Sequence, residues 1–397
     1  MGRRVFIVAG EASGDVHGAN LVKAMSAVDP LVSFQGVGSR HMREAGVRLL
    51  WDAAEIAVVG FSEVARHLMT IGKVFRKAAA VLRSWRPGLV ILIDYPEFNL
   101  LLAKKAKKLG IPVMYYISPQ VWAWRSGRVK TILERVDRMV VVLPFEEDMY
   151  RKAGVNVSFV GHPLLDSVRI RDEGELRRSL HLGSGQERLV GLLPGSRRNE
   201  LIALLPVMLD AASILARAIT GIHFFLPLAS TIQPEQVQPF LKGRDLPLTV
   251  VENKTHEVIQ MCEVIIAASG TVTLEAAILG TPLVVIYKVH PLTYWLGRRL
   301  IRVKHMALAN IVAGETVAPE LLQHEVKPER IAGETMKILG DESHQGWIRQ
   351  RHSDVRKKLG SPGASARAAA IALEILGRRN LSKTNEKHIH SLANAAH

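Results

Sequence analysis

In AASGTVTLEAAILGTPLVVIYK (Ala267–Lys288), the end of an apolar strand, Val264–Ala268, runs into a Ser269-Gly270 turn. A short helix from about Thr271 to Leu279 follows, and a second strand starts at Leu283. Gly280 stands where a C′ glycine ends a helix, and Pro282 blocks its continuation. A strand that feeds a helix N-terminus leaves backbone N–H groups unpaired, with a partial positive charge behind them. Ser269, Gly270 and Thr271 therefore form a candidate phosphate seat, worth about 0.3–1 kcal/mol and at most about 2 kcal/mol. Glu275 lies one turn into the helix. The residue three before it is Val272, so no capping box accounts for the acid. It is either a ligand for sugar hydroxyls or an exposed helical glutamate.

The alternation of strand and helix extends outward from this stretch. Upstream strands are expected at Val5–Ala9, Leu89–Ile93, Val113–Ile117, Met139–Leu143 and Val157–Val160, with helices such as Leu100–Leu109 and Gly127–Glu134 between them. The pattern restarts at Leu189–Leu193 and continues through Phe224–Leu226, Thr249–Val251, Val264–Ala268 and Leu283–Tyr287. Wholly apolar strands alternating with helices predict parallel sheets covered on both faces. The fold class is α/β, with two Rossmann-like doubly wound domains facing each other across a ligand cleft, and a C-terminal helical tail. The expected divisions are 1–166, 167–345, a tail over 346–380 and a polar, aperiodic end over 381–397. The hinge is placed around 164–187, which includes the polar helix Glu175–Leu182. The tail contains two helical segments, Trp347–Leu359 and Ala364–Leu376.

With 397 residues, two domains are the natural division. No apolar run approaches the roughly 18 residues of a spanning helix. The single cysteine, Cys262, excludes an intramolecular disulfide and fits a reducing cytoplasm. The net charge of +15 suits nucleic acid, an anionic membrane or anionic small substrates. Basic residues are spread over many helices and aromatics make up only 6%, so no base-stacking platform is built and no nucleic-acid partner is expected.

Several loops at strand ends carry groups suited to chemistry. Gly10-Glu11-Ala12-Ser13-Gly14-Asp15 follows the first strand, and either contacts a ligand or is a turn with Ser13 as N-cap. Gly36-Val37-Gly38 resembles half of a dinucleotide fingerprint, but His41 occupies the third glycine position. Asp94 ends an apolar strand and Pro96 forces the chain away, so its carboxylate either takes a proton from an incoming hydroxyl or only orders its turn. Glu97 is the alternative base. Trp122 and Trp124 are two apart and cannot share a helix face, so at least one turns toward the cleft unless both enter the core. In Leu192–Glu200 the Gly-Lys-Ser/Thr ending of a P-loop is absent, yet Gly195, Ser196 and Arg197 suit a diphosphate by charge and fork geometry. Phe61, Val64, Leu68, Ile71 and Phe75 follow helical spacing, widened by Met69 and Val74 and flanked by Arg66, Lys73, Arg76 and Lys77. That stretch, and Leu292–Lys304, are each either an interfacial anchor or a sheet-covering helix with a basic side. No metal-ligand motif accompanies these loops, and no metal or other cofactor is expected.

Seven motifs in order then resemble the lipid-A-disaccharide synthase family, glycosyltransferases of the two-Rossmann GT-B architecture. They are VAGEASGD (Val8–Asp15), IDYPEFN (Ile93–Asn99), YISPQVWAW (Tyr116–Trp124), FVGHPLLD (Phe159–Asp166), LLPGSRRNE (Leu192–Glu200), ASGTVTLEAAILGTP (Ala268–Pro282) and ALANIVAGETVAPELLQ (Ala307–Gln323). The resemblance implies transfer of a sugar from UDP-2,3-diacylglucosamine to 2,3-diacylglucosamine 1-phosphate (lipid X), giving a β(1→6) disaccharide and UDP. It implies a catalytic acidic role for Asp94, diphosphate binding by Arg197, a ribose contact for Glu275 and a place near the nucleotide for Asn310. The acceptor side is assigned to Glu11, Ser13, Gly14, Asn99 and Trp122, and membrane contact to Phe61, Val64, Arg66, Leu68, Met69 and Lys73. The family also implies a peripheral position on the cytoplasmic face of an anionic inner membrane, and homodimers with exchanged C-terminal parts in some members. Tyr95 and Glu97 depart from the small residue and Asp common in the family, and Ala309 replaces an expected proline.

Overall fold

A computed structural model describes residues 3–52, 64–119, 127–182, 188–289 and 304–377. Two compact units divide the chain, Met1–Pro163 with Ser361–His397, and Leu164–Gly360.

The first unit is built on seven parallel strands: β1 (Arg4–Ala9), β2 (Ser33–Gly38), β3 (Arg48–Asp52), β4 (Leu89–Ile93), β5 (Val113–Tyr116), β6 (Arg138–Val141) and β7 (Val157–Phe159). Their order is β3-β2-β1-β4-β5-β6-β7. β4 is apolar at every position and wholly buried, as a central parallel strand covered on both faces must be. The second unit holds β8 (Arg188–Leu193), β9 (Ile222–Leu228), β10 (Leu248–Glu252), β11 (Val264–Ala268), β12 (Leu283–Tyr287) and β13 (Glu320–Leu322), ordered β10-β9-β8-β11-β12-β13. Alternate residues of its strands enter different cores. Val264, Ile266 and Ala268 join one apolar cluster, while Ile265 and Ala267 join another on the opposite face. Each unit is thus a doubly wound α/β layer, as the strand–helix alternation predicts.

β4, β11 and β12 have the boundaries expected from sequence. β5 ends one residue early because Ile117 turns to φ +64, an unusual conformation for a β-branched residue. Three strands escape the sequence reading: β2, β3 and β13. β2 carries Gly36 and Gly38 in SFQGVG, so the pair that resembles half a dinucleotide fingerprint lies within a strand instead of a strand–helix turn. β3 is partly exposed along its length and β13 has only three residues, too little of an apolar run to register.

The C-terminal segment returns to the first unit. Residues 364–377 are helical, and Ala364, Ala368, Ala372 and Leu376 bury one stripe at a spacing of four. Arg367 Nε donates to the carbonyl of Val160 at 2.8 Å, fixing this helix near the end of β7.

Two helices bear on the membrane readings. In Val64–Trp85, Val74 is buried and Ile71 and Phe75 pack against the first unit's core, so this part of the apolar stripe covers the sheet. Met69 is 62% exposed and Lys73 is also exposed, on the other side. Phe61 and the side chains of Val64, Arg66 and Leu68 lie outside the described residues, as do residues 292–303 of the second basic stretch. Helix Arg198–Ala218 is long and apolar enough to cross a membrane by length and composition. It is a core helix of the second unit, with Leu201, Leu204, Leu205, Met208, Leu209 and Leu215 buried against the sheet.

Candidate functional site

In a doubly wound sheet, ligands meet the carboxyl ends of the strands where the order reverses. In the first unit that point lies between β1 and β4. The loops leaving these strands carry Gly10–Asp15 and Asp94–Asn99. They touch each other: a Cβ on Gly10 would fall 2.5 Å from Cγ of Tyr95, so only glycine admits the tyrosine ring.

Asp94 and Tyr95 are consecutive non-glycine residues in the left-handed region, at φ +48 and +45. Such backbone costs about 1–3 kcal/mol per residue and persists only where the surroundings hold it. Here Asn99 Nδ2 donates to the carbonyls of Ile93 (3.1 Å) and Asp94 (2.6 Å), and the Tyr115 hydroxyl also donates to the Asp94 carbonyl. Tyr95 stacks on Phe98, which meets Phe75 edge-on, so the turn also has an aromatic floor. The Asp94 side chain on this turn is half-buried. Burial, then the nearby Glu11 and to a smaller extent Glu97, push it up to about 6, against the Tyr95 backbone N–H, which lowers it. A carboxylate tuned to about 6 is largely ionised at neutral pH and a stronger base than an ordinary aspartate. Glu97, the alternative base, pairs with Arg128 and is mostly exposed.

The other first-unit residues fall as follows. The helix after β1 begins at Ala12 with Glu11 at its N-cap position and no side-chain cap, so Ser13 lies inside the first turn and the N-cap alternative for it does not hold. Glu11 and Ser13 are exposed, and Gly14 is buried against Ala9 and Ile93. Asn99 is fully buried beneath the Asp94 turn. Trp122 and Trp124 lie outside the described residues. Asp15 has a role that its place in the Gly10–Asp15 loop does not announce. Its buried carboxylate accepts from the N–H groups of Ser39 (2.6 Å), His41 (2.8 Å) and Met42 (3.3 Å), capping the short helix Arg40–Glu44. No sequence spacing links residue 15 to 39, so only the tertiary contact reveals this role.

In the second unit the order reverses between β8 and β11. The loop after β8 is closed from within. Glu200 accepts from the N–H groups of Ser196 (3.1 Å) and Arg197 (3.2 Å), and its other oxygen lies 3.2 Å from Arg197 Nη1. Gly195, at φ +109, leaves the room that this carboxylate fills. Arg197 remains 75% exposed, so its guanidinium is still presented to solvent.

The loop after β11 is open. Gly270 and Thr271 are exposed, nothing lies within 4 Å of a Cβ on Gly270, and no side-chain cap closes helix Val272–Leu279. Its positive end is therefore available to an anion. Ser269 Oγ donates to the Met306 carbonyl at 3.2 Å, and Thr273 Oγ1 to that of Gly270 at 2.9 Å, which shape the turn. Glu275 is mostly buried and pairs with His256, Nε2 to Oε2 3.7 Å, so it is not a merely exposed helical glutamate.

Asn310 is fully buried and uses its amide inside the fold. Nδ2 donates to the Ala318 carbonyl (2.8 Å) and Glu320 (2.7 Å), while Oδ1 accepts from the N–H groups of Val317 and Ala318. Glu320 in turn accepts from the N–H groups of Met306 and Ala307. Through Glu320 the asparagine thus holds the Met306–Ala307 segment, whose Met306 carbonyl accepts from Ser269, a role no local pattern announces. Among the described residues no three His, Cys, Asp or Glu side chains are arranged to hold a metal ion.

Solved structures with this architecture include a putative UDP-N-acetylglucosamine 2-epimerase from Listeria monocytogenes, at TM-score 0.62 and 13% identity, covering 92% of this chain and 94% of that one. A calicheamicin glycosyltransferase aligns at TM-score 0.61 and 15% identity, covering 95% of this chain and 99% of its own. Identities this low speak for the fold and do not separate epimerase from transferase. Sequence does. Lipid-A-disaccharide synthase of Trichlorobacter lovleyi is 50% identical over 377 residues, 94% of this chain and 98% of that protein. That of Geobacter metallireducens is 51% identical over 381 residues, 95% and 98%. The profile of the lipid-A-disaccharide synthetase family matches residues 5–375, spanning both strand-order reversals and the returning helix. Sheets, loops and sequence agree, and the chain belongs to the lipid-A-disaccharide synthase family of glycosyltransferases.

Proposed function

We propose that the protein transfers 2,3-diacylglucosamine from UDP-2,3-diacylglucosamine to the 6-hydroxyl of 2,3-diacylglucosamine 1-phosphate, with inversion at the anomeric carbon. The observation that carries this reading is the Asp94 carboxylate, held in a strained turn and raised to about 6. Asp94 takes the proton of the acceptor hydroxyl as that oxygen forms a bond to the anomeric carbon. The bond from that carbon to the UDP oxygen breaks, and UDP leaves with the electron pair. Charge grows on the diphosphate as it departs, so the open helix end at Gly270–Val272 and the exposed Arg197 guanidinium stabilise the transition state more than the ground state. Glu275 accepts from the ribose hydroxyls. The electrostatic work falls to these groups, and no metal is required. Lipid substrates and a basic chain suit action at the cytoplasmic face of an anionic membrane.

The test is turnover of the two diacylated sugars with chelator present, the product identified by mass and anomeric configuration and UDP measured. Acceptor-dependent UDP release with a β-linked disaccharide is expected. UDP release without acceptor, an α product, or activity restored only by a divalent ion would each overturn the corresponding part.

A further inference from the structure

Glu275 is the one acid in the first turn of its helix, and nothing in its own helix fixes where it points. What reaches it comes from a different element. Helix Thr255–Met261, which follows β10, packs beside helix Val272–Leu279 on the same face of the sheet, and the Thr281 hydroxyl ties the pair by donating to the Ile259 carbonyl at 2.7 Å. At the opposite end of this contact His256 brings Nε2 to 3.7 Å from Glu275 Oε2. The imidazole is about one-third exposed and the carboxylate 18% exposed, so the pair sits at the rim of the second unit's loops and is only partly screened.

We infer that His256 is a positioning residue for donor binding, its imidazolium orienting the Glu275 carboxylate toward the nucleotide's ribose. The inference rests on the ribose role given to Glu275 above. A ribose diol needs a carboxylate that is ionised and turned so that two lone pairs face outward. A cation on one oxygen fixes that orientation and leaves the other oxygen open.

The charged groups facing His256 set how this depends on pH. Glu275 across the contact raises its pKa most, and Glu257 on its own helix also raises it. Burial lowers it, as does Arg171, which is itself held 3.1 Å from Glu257. The net shift is upward, so the cationic form is present below the ordinary imidazole range and is lost as pH rises through the raised value. Donor affinity should fall over the same interval.

UDP binding by titration calorimetry from pH 6 to 8.5, with wild type and each variant compared at the same pH so that titration of the UDP itself cancels, tests this. Relative to His256→Gln, wild type should lose several-fold of its UDP affinity as pH rises through this interval. His256→Gln should bind about 3–10-fold more weakly than wild type at the acid end and approach it toward the alkaline end, and His256→Lys should keep the tighter binding throughout. A glutamine variant that keeps the wild-type affinity and pH response, or a lysine variant as weak as glutamine, overturns the inference. Glu275→Gln separates the two layers. If it binds UDP like wild type the ribose role fails, whereas weak binding by Glu275→Gln beside an unaffected His256→Gln defeats only the positioning role.

Discussion

Replacing Glu11 by glutamine tests how the fold tunes Asp94. The Asp94 carboxyl rises from 3.8 to about 6, a shift of about two units or roughly 3 kcal/mol between its protonation states. Burial is the largest cause and the charge of Glu11 the second, with Glu97 smaller and the Tyr95 N–H opposed. Glu11 therefore supplies less than half of the upward push, on the order of half a unit to one unit. A base must be ionised to act, so kcat/KM should rise with pH and level off above about 6. In Glu11→Gln the half-maximal point should move down by about half a unit to one unit, with the plateau little changed. At pH 5 the variant should then outpace wild type by roughly 3- to 5-fold, an unusual gain from removing a site carboxylate. The assay is initial-rate kinetics with both sugars at limiting concentration from pH 4.5 to 8. An ascending limb at the same pH in both proteins would refute the tuning, and Asp94→Asn with near-normal turnover would remove Asp94 from the base role altogether.

Asn99→Ala removes a donor from the carbonyl that holds Asp94 in its left-handed turn, and should lower kcat by roughly 10- to 100-fold with UDP affinity unchanged by calorimetry. His352 is wholly buried in helix Glu342–Lys358, and burial lowers it from 6.5 to about 4. The unfolded chain binds more protons between these values, so stability is full above pH 6.5 and falls as pH drops toward 4, by about 2 kcal/mol from pH 7 to 5. Urea unfolding of His352→Leu should lack that share of the acid sensitivity. Ile266→Ala, in the wholly buried β11, should cost about 2–5 kcal/mol in the same measurement.

Much of the fold was legible because its signals are local. An apolar run such as Leu89–Ile93 buries on both faces whatever its neighbours, and a glycine with φ +82 followed by Pro282 ends a helix by its own geometry. Those rules located β4, β11 and β12 to the residue and placed Asp94, Arg197 and Ser269–Thr271 at strand ends. Short or mixed strands carry too little of that signal, which is why β2, β3 and β13 were missed.

What the chain could not announce is partnership across distance. Strand order, which brings the loop after β1 beside that after β4 and the loop after β8 beside that after β11, depends on which strands pair, and periodicity is silent on pairing. The same holds for single side chains. Local sequence makes Asp94 a carboxylate at a turn. Burial, Glu11, Asn99 and Tyr115 make it a base near 6, and they come from separate elements folded against it. In Ala267–Lys288, sequence by itself determined an open helix end with a glutamate one turn inside. Tertiary structure decided that His256 stands against that glutamate, because an ion-pair partner is chosen by proximity in space and not by spacing along the chain.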